Sequence, residues 1–134
     1  MEARVTLEIV PVRLPLKRPF VTAAGTIDVR EGFLVRDGDG VGEAMPLPSA
    51  GTETLGECRV ALEAVRDGGE LPSGAPCAAF AIETARLDAE AKRRGVPLAK
   101  LLDAAPRTSV PVNAVVDGDD VPAGFASYKL KVGT

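Results

Sequence analysis

The chain has 134 residues, of which 46% are hydrophobic and 4% aromatic, with 16 Lys and Arg against 19 Asp and Glu and a formal net charge of -3. That length supports one ordinary domain with a core, and the hydrophobic fraction argues against disorder. Mild acidity with few aromatic residues argues against a nucleic-acid surface, and no apolar run approaches the roughly 18 residues that a membrane helix needs.

Met1-Glu2-Ala3-Arg4 lacks the charged-then-apolar order of a signal segment, so the cytoplasm is the expected location, with no nucleic-acid or membrane partner. Histidine is absent. Its absence removes Ser-His and Cys-His nucleophile pairs and every histidine-containing zinc pattern. Chemistry must then come from carboxylates, lysines, hydroxyls or backbone. Cys58 and Cys77 fall on apolar positions of expected helices and read as buried free thiols.

In chain order, Arg4 to Val10 alternates with period two, Val5, Leu7 and Ile9 on one face, and predicts a half-buried strand ending at Pro11. From Pro15 to Gly32 the periodicity fades around Lys17, Arg18, Pro19, Ala23, Ala24, Gly25 and Thr26. That stretch is either a functional lid loop or a hairpin connection partly extended as strand. Phe33 to Arg36 and Val41 to Ala44 flank Asp37-Gly38-Asp39-Gly40, a strong hairpin signal. As a calcium loop the turn lacks a third acidic position and a closing glutamate.

Thr54-Leu55-Gly56-Glu57 has capping-box spacing and opens a helix carrying Leu55, Cys58, Leu62 and Val65 inward, ended by Gly68-Gly69. A second helix opens near Pro76, with Cys77, Phe80, Thr84, Leu87 and Ala91 on the expected buried stripe. Lys92, Arg93 and Arg94 complement its C-terminal dipole, and Gly95 stops it. Pro97 to Ala104 suits a short third helix. Val110 to Val116 is apolar on both faces, as in a parallel strand covered by helices. After a turn at Asp117 to Asp120, Val121 to Ala126 leaves room for a short helix before a strand at Ser127 to Val132. The order is α+β: a β-meander, two or three helices, then a β-α-β unit that is parallel by its crossover.

Lys129 and Lys131 stand at i and i+2 and project from one face of that last strand. Like charges side by side disfavour each other's protonated form, and a lysine so tuned is a general base near neutral pH. The same pair on an edge strand also discourages aggregation.

Several strings in this order resemble the enolase superfamily, in its muconate-lactonizing-enzyme subgroup. Leu14-Pro15-Leu16-Lys17-Arg18-Pro19-Phe20 is similar to the start of the family's mobile active-site loop. Gly42-Glu43-Ala44-Met45-Pro46-Leu47-Pro48 is similar to the segment after the second capping-domain hairpin. Ala85 to Leu98 resembles the helix and turn leading into the barrel. Val110-Pro111-Val112-Asn113-Ala114 and Tyr128-Lys129-Leu130-Lys131-Val132-Gly133 resemble the first two barrel strands.

The resemblance implies an enolase N-terminal-like capping domain over residues 1–105 and the start of an incomplete (β/α)8 barrel over 106–134. It implies a small carboxylate substrate, and chemistry that begins with removal of a proton α to the carboxylate while Mg2+ stabilises the enediolate. Lys131 would be the acid/base and Lys129 its electrostatic neighbour, with Phe20 and Thr22 enclosing the substrate. Ala44 to Ser49 followed by Thr52-Glu53-Thr54-Leu55 looks most like o-succinylbenzoate synthases, lyases of menaquinone biosynthesis that perform a syn-dehydration. Dipeptide epimerases, muconate cycloisomerases and N-acylamino-acid racemases share these strings. A non-catalytic small binding domain is the alternative from a different class.

The chain also departs from the family. A (β/α)8 barrel needs about 200 residues or more, which Val110 to Thr134 does not provide. The family's three carboxylate metal ligands and its opposing lysine have no counterpart, since Asp117, Asp119 and Asp120 precede the second strand in a turn. The expectation is that this chain alone binds no catalytic Mg2+, is inactive, and self-associates through exposed strands in residues 110–134.

Overall fold

In the computed structural model, whose described residues are 7–116 and 118–130, the first strand does not end at Pro11. β1 spans Leu7–Thr22 and pairs antiparallel with β2, Gly25–Asp37, which pairs in turn with β3, Gly40–Ala44. The order β1-β2-β3 makes β1 an outer strand. The tight turn joins Asp37 and Gly40, so alternation along the ladder directs the backbone groups of Asp37, Val35 and Phe33 toward β3. Pro11 lies opposite Phe33 and Pro15 opposite Val29, both at positions whose N–H would face outward. A proline there removes no ladder bond.

Of the two readings of residues 15–32, the structure gives the hairpin. The β1–β2 ladder is regular as far as Pro15 and Val29 and resumes at Phe20 and Ile27. Leu16 to Pro19 therefore bulge out opposite Asp28, and beyond them a short arm closes at Ala23-Ala24. The second hairpin turns at Gly38-Asp39, where Gly38 has φ 56. It is a strand connection rather than a cation loop.

Three helices follow. α1, Leu55–Arg66, begins with the full capping box: Thr54 accepts from the Glu57 N–H, and the Glu57 carboxylate accepts from the Thr54 N–H at 2.8 Å. α2, Pro76–Arg94, ends at Gly95 in the left-handed region, and α3 is Leu98–Leu102. The buried stripe of α2 is rotated from the expected one. Ala78, Ala81, Ile82, Ala85 and Ala91 are buried, while Phe80 is 60% exposed. Turning Phe80 inward fails here because strand and helix meet at backbone distance. A Cβ built on Gly40 would lie 2.0 Å from the Ala85 carbonyl oxygen, and one on Gly42 would lie 1.9 Å from that of Ala81.

Side chains of α2 also close the outer edge of β3. The Val41 N–H donates to Asp88 Oδ2 at 2.9 Å, and Lys92 Nζ donates to the Asp39 carbonyl and to Asp88, each at 2.7 Å. Lys92, then the Val41 N–H, holds the Asp88 carboxyl below its usual range. Arg93 and Arg94 both pair with Glu90, so the three cations at the helix end have partners within the fold. The core joins Leu7, Phe33, Val35 and Ala44 of the sheet to Cys58, Ala61 and Leu62 of α1 and to the alanine face of α2.

The chain divides at Ala104 into two compact units. In the second, β4, Ala114–Val116, and β5, Tyr128–Leu130, pair in parallel, as the crossover reading predicts. β4 is shorter than the apolar run that suggested it. Val121 to Ala126 holds a turn at Ala123-Gly124 and no helix, because Pro122 and Gly124 (φ 90) leave too short a run to nucleate one. Val110, Val112, Val115 and Leu130 are exposed.

Candidate functional site

The hairpin arm carries Phe20 opposite Ile27 and Thr22 opposite Gly25. Phe20 is 50% exposed, which suits a wall against an apolar ligand surface. Thr22 is differently occupied. Its Oγ1 donates to the Gly25 carbonyl at 2.9 Å and accepts from the Ala24 N–H at 3.2 Å, so the hydroxyl fastens the turn and offers a ligand its methyl and a remaining lone pair.

Below the arm, an open cleft of about 370 Å3 runs between residues 26–31 of β2 and the Pro46-Leu47-Pro48 segment, with Leu55 at its end. The far wall is a compact turn. The Leu47 N–H donates to Thr52 Oγ1 at 2.6 Å, and the Ala50 and Gly51 N–H groups bond the Leu47 and Pro48 carbonyls at 2.8 and 2.9 Å. Arg30 reaches across the cleft floor, its Nη2 donating to the Met45 carbonyl at 2.8 Å. The motif reading had found the Gly42 to Pro48 string but not Arg30. The available signal was its place two residues before Gly32, the glycine over which the chain crosses: a Cβ there would lie 2.1 Å from the Ala44 carbonyl oxygen.

A buried carboxylate sits behind the turn. Glu53, 5% exposed, accepts from the backbone N–H groups of Cys77 and Ala78 at 3.1 and 2.9 Å. Burial opposes its charge, but those N–H groups prevail and hold its carboxyl below the usual range. Burial, then the charge of Glu53, pushes the Cys58 thiol up to about 12, and burial pushes Cys77 up as well. Both are free, Cys58 buried and Cys77 half-buried, and neither is poised as a nucleophile at neutral pH.

In the second unit, Lys129 is the middle residue of β5, exposed and opposite Val115. Phe125 and Tyr128 meet edge-on near it in sequence, with ring centroids 6.5 Å apart. Lys131 and Asp117 lie outside the described residues. Among the described residues, no three His, Cys, Asp or Glu side chains come together to hold a metal ion, and no helix is long and apolar enough to cross a membrane.

This architecture is found in known enzymes. The chain matches a dipeptide epimerase from Enterococcus faecalis, crystallised with Mg and L-Leu-L-Tyr, over 97% of its own length at 22% identity and a TM-score of 0.79. It matches an enolase family member from Agrobacterium tumefaciens with homology to dipeptide epimerases, bound to sodium and L-Ala-L-Glu, over 85% at 24% identity and 0.64. The fold is that of the enolase superfamily's capping domain. A probable mandelate racemase from Alicyclobacillus acidocaldarius also matches, over 84% of the chain at 30% identity and 0.65. The chain spans less than half the length of these structures: 46%, 39% and 37%. No family model and no curated protein matches it.

Proposed function

We propose that this chain supplies the capping domain and first barrel strands of an enzyme that removes a proton α to the carboxylate of a small substrate, and that the substrate is a dipeptide. The observation that carries the reading is the match over nearly the whole chain to an epimerase holding a dipeptide. Lys131 is the acid/base in this reading. Lys129, two residues before it in the sequence, adds positive charge where the enolate oxygen develops. In this reading the arm with Phe20 helps to enclose the substrate and exclude water. A second reading, dehydration of a cyclohexadiene carboxylate as in o-succinylbenzoate synthases, is favoured by the string from Ala44 to Leu55.

The test is exchange in D2O. The enzyme that contains this chain, incubated with L-Ala-L-Glu and Mg2+, is expected to replace the α-proton by deuterium, seen by NMR and mass, and Lys131→Ala to lose this by about a hundredfold or more. Exchange that survives in K131A removes Lys131 from the role. Dehydration of the cyclohexadiene substrate without dipeptide exchange selects the second reading. Turnover of neither sinks both.

The exposed Val110, Val112, Val115 and Leu130 favour self-association as part of the same proposal. Light scattering is expected to give a mass that rises with concentration, and Val112→Lys with Val115→Lys to abolish the rise. A constant monomer mass for the unaltered chain removes the idea.

A further inference from the structure

The turn that forms the far wall of the cleft is tied to the sheet by one charged side chain. β3 ends at Ala44, and the chain then crosses the face of β2 over Gly32, whose missing side chain leaves room for the Ala44 carbonyl and the Met45 sulfur. Two residues back on the same strand face, Arg30 donates to the Met45 carbonyl. Beyond that bond lie Pro46, Pro48 and a turn closed by the Leu47, Ala50 and Gly51 N–H groups. Arg30 also stands at the root of the hairpin arm, opposite Leu14 and just short of the bulge. Arg30 is thus fixed beside the arm by its backbone and tied to the far wall by its side chain.

We propose that Arg30 is a positioning residue: its bond to Met45 fixes the Pro46–Pro48 wall against the hairpin arm and so sets the width of the substrate cleft. The role is distinct from binding substrate, because the guanidinium is directed to a backbone carbonyl of the wall. A charge-assisted bond to a half-buried carbonyl is stronger than a neutral one, and its loss leaves that oxygen without its donor. The functional half of the proposal takes this cleft as part of the substrate site and rests on the dipeptide reading above. The structural half does not.

The test uses the whole chain and two readouts. Arg30→Met removes every donor at similar length. Amide exchange at Leu47, Ala50 and Gly51 is expected to speed up about tenfold relative to the parent, with Ala81 and Ala85 in α2 unchanged. Arg30→Lys keeps one cationic donor and is expected to restore most of the protection, and it carries the test by its intermediate exchange if R30M does not fold. Unchanged exchange at all three turn amides overturns the proposal. In the enzyme that contains this chain, R30M is expected to raise KM for L-Ala-L-Glu about tenfold with kcat within about twofold, the signature of a misplaced wall rather than a lost reacting group. An equal loss in kcat overturns the positioning role in favour of a catalytic one. If that enzyme turns over no dipeptide, the dipeptide reading falls, while the exchange result still decides whether Arg30 holds the wall.

Discussion

Gly42→Ala is expected to unfold the capping unit at a temperature lower than the parent by about 10 °C or more, from a loss of about 3 kcal/mol or more. The added methyl has nowhere to go. It would sit 1.9 Å from the Ala81 carbonyl oxygen and 2.7 Å from Thr84 Oγ1, and the first of these is helix backbone that no rotamer change can move aside. Relief requires β3 to lift from α2, which would also pull the Val41 N–H from Asp88 and part Ala44 and Val35 from the alanine face. Gly56→Ala is the matched control. Gly56 is helical, with open space where its Cβ would go, and that change is expected to stabilise by a few tenths to about 1 kcal/mol. Thermal unfolding followed by far-ultraviolet circular dichroism reads both. A G42A midpoint within about 2 °C of the parent would mean that helix and strand are not in backbone contact.

That contact also marks the limit of what the sequence discloses. Features encoded within a few residues were legible: the Asp-Gly turn between β2 and β3, the capping box at Thr54 and the stop at Gly95 all rest on local dihedral preference or on bonds spanning three residues. The family strings led to the correct capping-domain fold, and the crossover reading to the parallel pairing of β4 and β5. The face of α2 was not legible, because a stripe that turns Phe80 inward assumes that the neighbour stands off at side-chain distance. Gly40 and Gly42 remove that distance, and only the pairing of β3 under α2 shows it. Pro11 misled for a related reason. A proline ends a central strand but not an outer one, and strand order is a property of the whole sheet. Arg30 and Glu53 were passed over because each acts on backbone far along the chain, where no spacing rule applies.

Glu53→Ala is expected to cost about 2–4 kcal/mol, since it leaves one buried and one half-buried N–H group without acceptors at the start of a long helix. α2 has no cap of its own. Ala75 occupies the N-cap position and offers no side-chain acceptor, so the carboxylate of Glu53, delivered from the residue just before the cap of α1, serves Cys77 and Ala78 instead. The same carboxylate thereby links the starts of both helices. Glu53→Gln keeps the shape and one acceptor oxygen, loses the charge that favours a helix N-terminus, and is expected to cost about 1–2 kcal/mol at neutral pH. The pH dependence follows from the lowered carboxyl. A group whose pKa is lower in the folded chain than in the unfolded one contributes its full stabilisation above the unfolded value. That contribution fades as pH falls through the folded value, because the unfolded chain takes up the proton first. Urea unfolding of the parent and of E53Q should therefore differ most at pH 6–7, and the difference should shrink steadily below the ordinary glutamate range, about pH 4.3. A gap that stays constant down to pH 2.5 would show that the charge of Glu53 contributes nothing, and that the helix start is held by shape alone.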